Sequence, residues 1–194
     1  MAKITSRLPK AEKYILAPFH TITRVNITMK YKLVNTLAMT FLVSTNAFAF
    51  DAKFADEAWN GNKVPIGQQC QKFGGNNPAT PRLIVSGIPP ESNALILEYS
   101  DRSHEQMDKG GHGKMKFMFD SQKSEVEVPP VLGHTFDIPK EFKLIEAHLG
   151  AGWDKAGAYM PPCSGGRGNE YYVTIKAVKD DKVTATTILE MGKY

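Results

Sequence analysis

Six short apolar runs, separated by turn-forming segments, set the pattern of the chain after residue 80. The runs are 82–85, 94–99, 114–119, 124–128, 171–178 and 183–189. Run 94–99 (ALILEY) has a continuous apolar face, which predicts a buried strand, whereas 114–119 and 124–128 alternate in the manner of strands with one solvated face. The last two runs flank the polar residues Lys179–Lys182 and predict a β-hairpin.

The segment 139–149 has the clearest helical pattern. Phe142, Ile145 and Leu149 fall on one face, Pro139 suits a first helical position and Gly150 a stop signal. The spacing therefore predicts a helix over 139–149. Elsewhere the 16 Gly and 12 Pro favour turns over a helical bundle, and the length suffices for one well-packed domain.

The N-terminal segment has the layout of a secretory signal. The basic stretch 29–32 precedes the apolar run 33–43, and Ala47-Phe48-Ala49 gives the small-x-small pattern that signal peptidase cleaves. The apolar run is shorter than the roughly 20 residues needed to cross a bilayer. We therefore expect a leader over 1–49, a mature domain over 50–194, a periplasmic or secreted protein, and no transmembrane segment.

Residues 1–28 admit three explanations. Met29 is itself a candidate start, which makes 1–28 an upstream extension and 29–49 the signal peptide. Alternatively, their basic, nearly acid-free composition is typical of an organellar transit peptide. A buried N-terminal helix is the third explanation, but no capping or amphipathic pattern supports it.

The net charge of +4 arises from the basic residues of the leader. Of the 24 Lys/Arg and 20 Asp/Glu in the chain, seven basic residues and one acidic residue lie in 1–49, so the mature domain is slightly acidic. A near-neutral domain lacks the basic footprint of a nucleic-acid-binding protein, and no nucleic-acid partner is expected.

Cys70 and Cys163 are the only cysteines. In an exported protein an even pair predicts a disulfide, and the alternative is two small buried apolar residues. A Cys–His hydrolase is conceivable, but there is no nucleophile elbow and no Gly-rich phosphate loop. The residues therefore indicate no enzyme class.

His104 and His112 lie among the acidic residues Asp101, Glu105 and Asp108. Their spacing fits no metal motif, so a solvated loop between two strands is favoured over a metal site. We expect neither a metal nor another cofactor.

The loop Pro161–Gly168 combines two consecutive prolines with three glycines. Exposed amides in such a loop can form an anion-binding nest, here with Arg167 nearby. The alternative is a plain surface loop.

Eight segments, taken in order, match a family pattern. They are Gly61–Pro65, Cys70, Gly75–Leu83, Ser86–Pro89, Asp101, Gly110–Gly113, Pro161–Gly166 and Gly192–Tyr194. In order and spacing they resemble the phosphatidylethanolamine-binding protein family, specifically its bacterial Raf kinase inhibitor-like branch. The resemblance implies a mainly β, antiparallel sandwich-like fold with one or two short helices. It also implies a small pocket for anionic head groups, in proteins without established catalysis.

The chain departs from the family at the pocket. Tyr99 replaces the first Asp of the D-P-D-A-P motif, Gly113 replaces the Trp after His112, and 170–172 (EYY) stands where the family has His-Arg-Tyr. The ligand-binding residues that the resemblance implies are Tyr99, Asp101, His112, Pro162, Glu170 and Tyr172. A second carboxylate, from Glu170 beside Asp101, would disfavour an anion and favour a cationic or zwitterionic ligand.

The leading hypothesis is an exported, non-enzymatic small-ligand-binding or regulatory protein, whose partner is a small zwitterionic or anionic head group or another protein. One alternative is a protein-interaction module that has lost the pocket. Another is a hydrolase that uses His112 with Asp101 or Glu170. Among the histidines, His112 alone is expected in the pocket, where Asp101 would raise its pKa; His104, His134 and His148 are expected outside it.

Overall fold

The computed structural model describes residues 49–194, which contain eight strands arranged in two antiparallel sheets. Except for Ala49, the predicted leader lies outside the described residues. The strands are β1 (Asp51–Phe54), β2 (Leu83–Ser86), β3 (Ala94–Asp101), β4 (Lys114–Met118), β5 (Glu125–Val128), β6 (Phe142–Glu146), β7 (Glu170–Lys179) and β8 (Lys182–Lys193). The smaller sheet has the order β1-β2-β5 and the larger the order β6-β4-β3-β7-β8.

The prediction of a mainly β fold is confirmed. Each of the six apolar runs forms a strand, and the only helical elements among the described residues are two 3-10 turns, Gln71–Phe73 and Glu105–Met107. Residues 49–194 contain no helix of the length and apolarity that crossing a membrane requires.

Strand alternation explains where the core lies. Leu95, Leu97 and Tyr99 of the central strand β3 are at most 1% exposed and share the face that packs against the rest of the core. Ile175 on β7 and Leu83 on β2 are also fully buried. Burying one such side chain contributes roughly 1.5–3 kcal/mol, so the two facing sheets hold the fold together mainly through these positions.

The predicted hairpin is present between β7 and β8. Lys179 pairs with Lys182, which leaves Asp180 and Asp181 as the two loop residues. Both have positive φ, 48° and 61°, as the two central residues of a type I′ turn require. This turn matches the right-handed twist of the paired strands.

The prediction of a helix over 139–149 is wrong. Only one turn forms at Pro139, whose carbonyl accepts a hydrogen bond from Phe142 N at 2.9 Å, and the chain then enters β6. Strand β6 pairs with β4 at the edge of the larger sheet. Ile145 and Leu149 are 48% and 55% exposed, so the apolar face read from the spacing is not buried as a helix face would be. Pairing with β4 overrides the periodicity.

Candidate functional site

A cavity of about 320 Å³ opens at one end of the larger sheet, where β3 ends and β7 begins. Asp101, the last residue of β3, pairs there with Tyr171 of β7. The cavity wall is completed by the loops that follow β3 and precede β7 and by the 3-10 turn Gln71–Phe73. Two strands, two loops and a 3-10 turn therefore place the side chains described below.

Asp101 is the buried carboxylate of the cavity, with 4% of its surface exposed. Its Oδ1 accepts a hydrogen bond from Ser103 N at 2.8 Å, and its Oδ2 accepts one from Asn169 Nδ2 at 2.6 Å. A carboxylate offers about four lone-pair sites, so Asp101 retains acceptor capacity for a ligand.

His112 lines the same cavity and is 3% exposed. Its Nδ1 lies 2.6 Å from the carbonyl oxygen of Met160, so Nδ1 carries the proton and donates it. The ring nitrogen that remains for a ligand is Nε2, which in the neutral imidazole is an acceptor.

The expected rise in the pKa of His112 is wrong. Burial, which disfavours the charged imidazole, is the largest effect and lowers its pKa to about 4. The Met160 carbonyl and the Asp101 charge act in the opposite direction but are outweighed. His112 is therefore neutral at pH 7.

Strand β7 turns different residues to the cavity from those that the sequence indicated. Asn169 and Tyr171 line it, whereas Glu170 and Tyr172 lie on the opposite face. Glu170 forms ion pairs with Lys193 and with the guanidinium of Arg102. The expectation that Glu170 supplies a second pocket carboxylate is therefore wrong.

The opposite face of β7 has its own polar network. Tyr172 donates a hydrogen bond to Asp108, and the Arg102 guanidinium lies over its ring at 4.5 Å. Lys193 is the largest cause of the lowered pKa of Glu170. Neither Tyr172 nor Glu170 is available to a ligand in the cavity.

Two other residues named by the resemblance support the cavity from outside. Tyr99 is 1% exposed and packs edge-on against Tyr159, with ring centroids 5.0 Å apart, so it belongs to the core. Pro162 is buried, and its carbonyl accepts a hydrogen bond from Cys70 N at 2.9 Å. Their assignment as ligand contacts is corrected accordingly.

Tyr171 is one of the cavity residues that the sequence reasoning missed. Its hydroxyl accepts a hydrogen bond from Cys163 N at 3.2 Å, and its ring meets His112 edge-on at 5.4 Å. Burial raises its pKa to about 12. The signal was present in the sequence: Tyr171, Val173 and Ile175 alternate as one apolar face, which places Tyr171 and not Tyr172 on the inside.

Cationic and aromatic side chains form the mouth of the cavity. Lys72 and Arg167 are exposed there, beside Phe73 and Trp153. His104 also lines the cavity, with its ring 5.7 Å from that of Trp153, so its expected position outside the pocket is wrong.

The other two histidines of residues 49–194 lie outside the cavity, as expected. His134 is buried with Nε2 2.7 Å from Asp154 Oδ2. His148 is buried as well; its Nδ1 accepts a hydrogen bond from Gly150 N, and its Nε2 lies 3.0 Å from the Lys155 carbonyl. Burial lowers the pKa of His148, and both bonds fit the neutral imidazole.

The predicted disulfide between Cys70 and Cys163 is present, with the two Cα atoms 5.1 Å apart. It joins the start of the 3-10 turn that carries Lys72 to the loop that carries Arg167, so it ties together two sides of the cavity mouth. Asp154 Oδ2 lies 3.8 Å from Cys163 Sγ. Disulfide sulfurs are not thiolates, so this trio is not a metal site while the bond is intact.

Gly113 explains why the family's Trp is missing. Its φ is +120°, and a Cβ atom there would lie 2.1 Å from the Ala158 carbonyl oxygen. The flanking backbone is fixed: Tyr99 N donates to the Gly113 carbonyl, and His112 N donates to the Tyr99 carbonyl, both at 3.0 Å. Any side chain at 113 would displace the segment that holds His112.

This two-sheet architecture is the phosphatidylethanolamine-binding protein fold, which confirms the resemblance at the level of structure. A solved structure with this fold is that of E. coli YbcL, described as a new member of the mammalian PEBP family. The match has a TM-score of 0.51 at 16% sequence identity and covers 75% of this chain and 97% of YbcL. No protein-family model matches the chain, and no curated protein matches it in sequence.

Proposed function

We propose that the chain is an exported, non-enzymatic binding protein, a divergent member of the phosphatidylethanolamine-binding protein family that holds a small anionic or zwitterionic head group. The observation that carries this proposal is the cavity in which buried Asp101 and neutral His112 lie behind the cations Lys72 and Arg167. Because Glu170 faces away from the cavity, Asp101 is the single carboxylate among the lining residues, and Lys72 and Arg167 are two cations. This balance of charge favours an anionic ligand, which a second carboxylate from Glu170 would have disfavoured.

The polar groups in the cavity also require the ligand to supply a hydrogen-bond donor. Asp101 and Nε2 of His112 are both hydrogen-bond acceptors, and leaving a buried acceptor unpaired costs about 1–3 kcal/mol. The ligand should therefore combine a negative charge with an O–H or N–H donor. Hydrogenphosphate and phosphoethanolamine meet this condition, whereas sulfate does not.

Calorimetric titration of the purified protein at pH 7.5 tests this selectivity. We expect inorganic phosphate and phosphoethanolamine to bind and sulfate to bind about 10–100-fold more weakly. Arg167→Gln should weaken phosphate binding, and Glu170→Gln, on the other face of β7, should leave it unchanged. Equal binding of sulfate and phosphate, or a loss of binding in Glu170→Gln alone, would contradict the assignment.

The geometry favours binding over hydrolysis. Ser164 in the cavity wall donates to the backbone oxygen of Tyr194 at 2.5 Å, the Tyr171 hydroxyl accepts from Cys163 N, and Cys163 is held in the disulfide. His112 gives its Nδ1 proton to a carbonyl. No side chain lining the cavity is therefore held as an activated nucleophile in the described part of the chain. The presence of a cavity likewise favours the binding protein over an interaction module without a pocket.

Export rests on the signal layout of 29–49 and is supported by the disulfide, which persists in oxidising compartments. Expression of the full chain in a Gram-negative host, followed by N-terminal sequencing of the periplasmic fraction, should give a start at or within a few residues of Phe50. A product that remains in the cytosol and begins at Met1 or Met29 would refute export.

A further inference from the structure

The two edges of the larger sheet are built differently. Strand β6 is five residues long and carries Lys143 and Glu146, as edge strands that avoid pairing commonly do. Strand β8 is twelve residues long, and its segment 183–189 (VTATTIL) contains no charge, glycine or proline. Nothing in the side chains of this second edge opposes the addition of another strand.

Part of β8 is open to such pairing. Near its C-terminal end, Lys193 forms a parallel bridge with Lys63, and Val64 N donates to the Lys193 carbonyl. Along 183–189, β7 is the only strand within residues 49–194 that pairs with β8 through backbone hydrogen bonds. Val183 and Ile188 are 52% and 54% exposed there. The open segment therefore combines unpaired edge backbone with uncovered apolar side chains.

From this edge we infer that the protein forms a homodimer in which β8 pairs antiparallel with β8 of a second copy. Charge complementarity indicates both that the partner strand is β8 of a second copy and that the two strands run antiparallel. Lys182 precedes the open segment and Glu190 follows it, so antiparallel pairing of two copies brings each Lys182 towards Glu190 of the other. Parallel pairing would place like charges together.

The pairing is self-limiting and independent of the ligand cavity. Each copy has one open β8 edge, so a two-fold contact closes at two copies and joins two five-stranded sheets into one of ten strands. Glu190 already accepts hydrogen bonds from Arg102 at 2.7 and 3.0 Å, which holds it on the exposed face of β8.

A charge-swap experiment tests the dimer. Thr186 is the exposed middle residue of the open segment, so its two copies lie close to the two-fold axis. Sedimentation equilibrium of the wild-type protein should give a dimer. Thr186→Lys and Thr186→Glu should each raise the dissociation constant about fivefold through like-charge repulsion. An equimolar mixture of the two variants should restore dimers by pairing Lys with Glu.

Leu144→Lys on β6, the other edge of the same sheet, is the matched control and should leave the dimer unchanged. Far-UV circular dichroism should show that all the variants are folded. A wild-type protein that remains monomeric at millimolar concentration would overturn the inference. So would a dimer that tolerates both Thr186 variants, or one that only Leu144→Lys dissociates.

Discussion

Replacing both Cys70 and Cys163 by alanine should lower the free energy of unfolding by about 4–5 kcal/mol, because the disulfide spans 93 residues and greatly restricts the unfolded chain. For a domain of this size the melting temperature should fall by about 10–20 °C. Phosphate affinity should also fall, since the bond ties Lys72 to the loop that carries Arg167. The double variant avoids leaving one unpaired thiol in a buried position.

Differential scanning calorimetry with and without reductant measures this effect. Reductant should lower the melting temperature of the wild-type protein towards that of the double variant and leave the variant itself unchanged. Titration of unfolded, unreduced wild-type protein should find no free thiol. An unchanged melting temperature in reduced protein that shows two free thiols would mean that loop closure contributes little.

Acidification from pH 6.5 to pH 4 should destabilise the protein through His112. Its folded-state pKa of about 4 lies below the ordinary histidine value of 6.5, so in this window the unfolded chain binds the proton and the folded protein does not. This contribution is complete above pH 6.5 and is lost as the pH falls towards 4, with a total of about 3 kcal/mol. The direction is opposite to that expected for a histidine stabilised by Asp101.

Urea unfolding at pH 7 and pH 4.5 isolates this contribution. The loss of unfolding free energy between the two pH values should be about 2–3 kcal/mol smaller in His112→Gln than in the wild type, whatever the stability of the variant at pH 7. His148 acts in the same direction as His112, so the comparison between variants is the meaningful quantity. An unaltered difference in His112→Gln would refute the buried neutral imidazole.

The strands were predictable where the sequence pattern and the sheet agree. Run 94–99 is buried on most positions as β3, and 125–128 alternates between exposed and buried as β5. Strand β6 was not predictable in this way, because three apolar residues at helical spacing cannot reveal that Phe142 alone packs inward and that β4 supplies the hydrogen-bonding partner. Local spacing lacks the information on tertiary pairing that decides such an edge strand.

The sequence predicted which segments meet at the site, but it did not predict which of their side chains face the cavity. Motif order placed the ends of β3 and β7 and the proline loop together, as the structure shows. Because successive side chains of a strand point to opposite faces, matching the motif one residue too late exchanged Tyr171 for Tyr172 and Asn169 for Glu170. The pKa of His112 was beyond a sequence argument because it depends on burial.

The position of β3 also governs the order in which the chain can fold. This central strand pairs with β4 nearby in sequence and, on its other side, with β7, so that Ala94 meets Val178. During synthesis from the N-terminus, one edge of β3 therefore stays unpaired until β7, residues 170–179, has been made. Such non-local pairing slows folding and prolongs the exposure of aggregation-prone edges. For a protein that crosses a membrane unfolded, the same delay would keep the chain competent for translocation until its final hairpin completes the sheet.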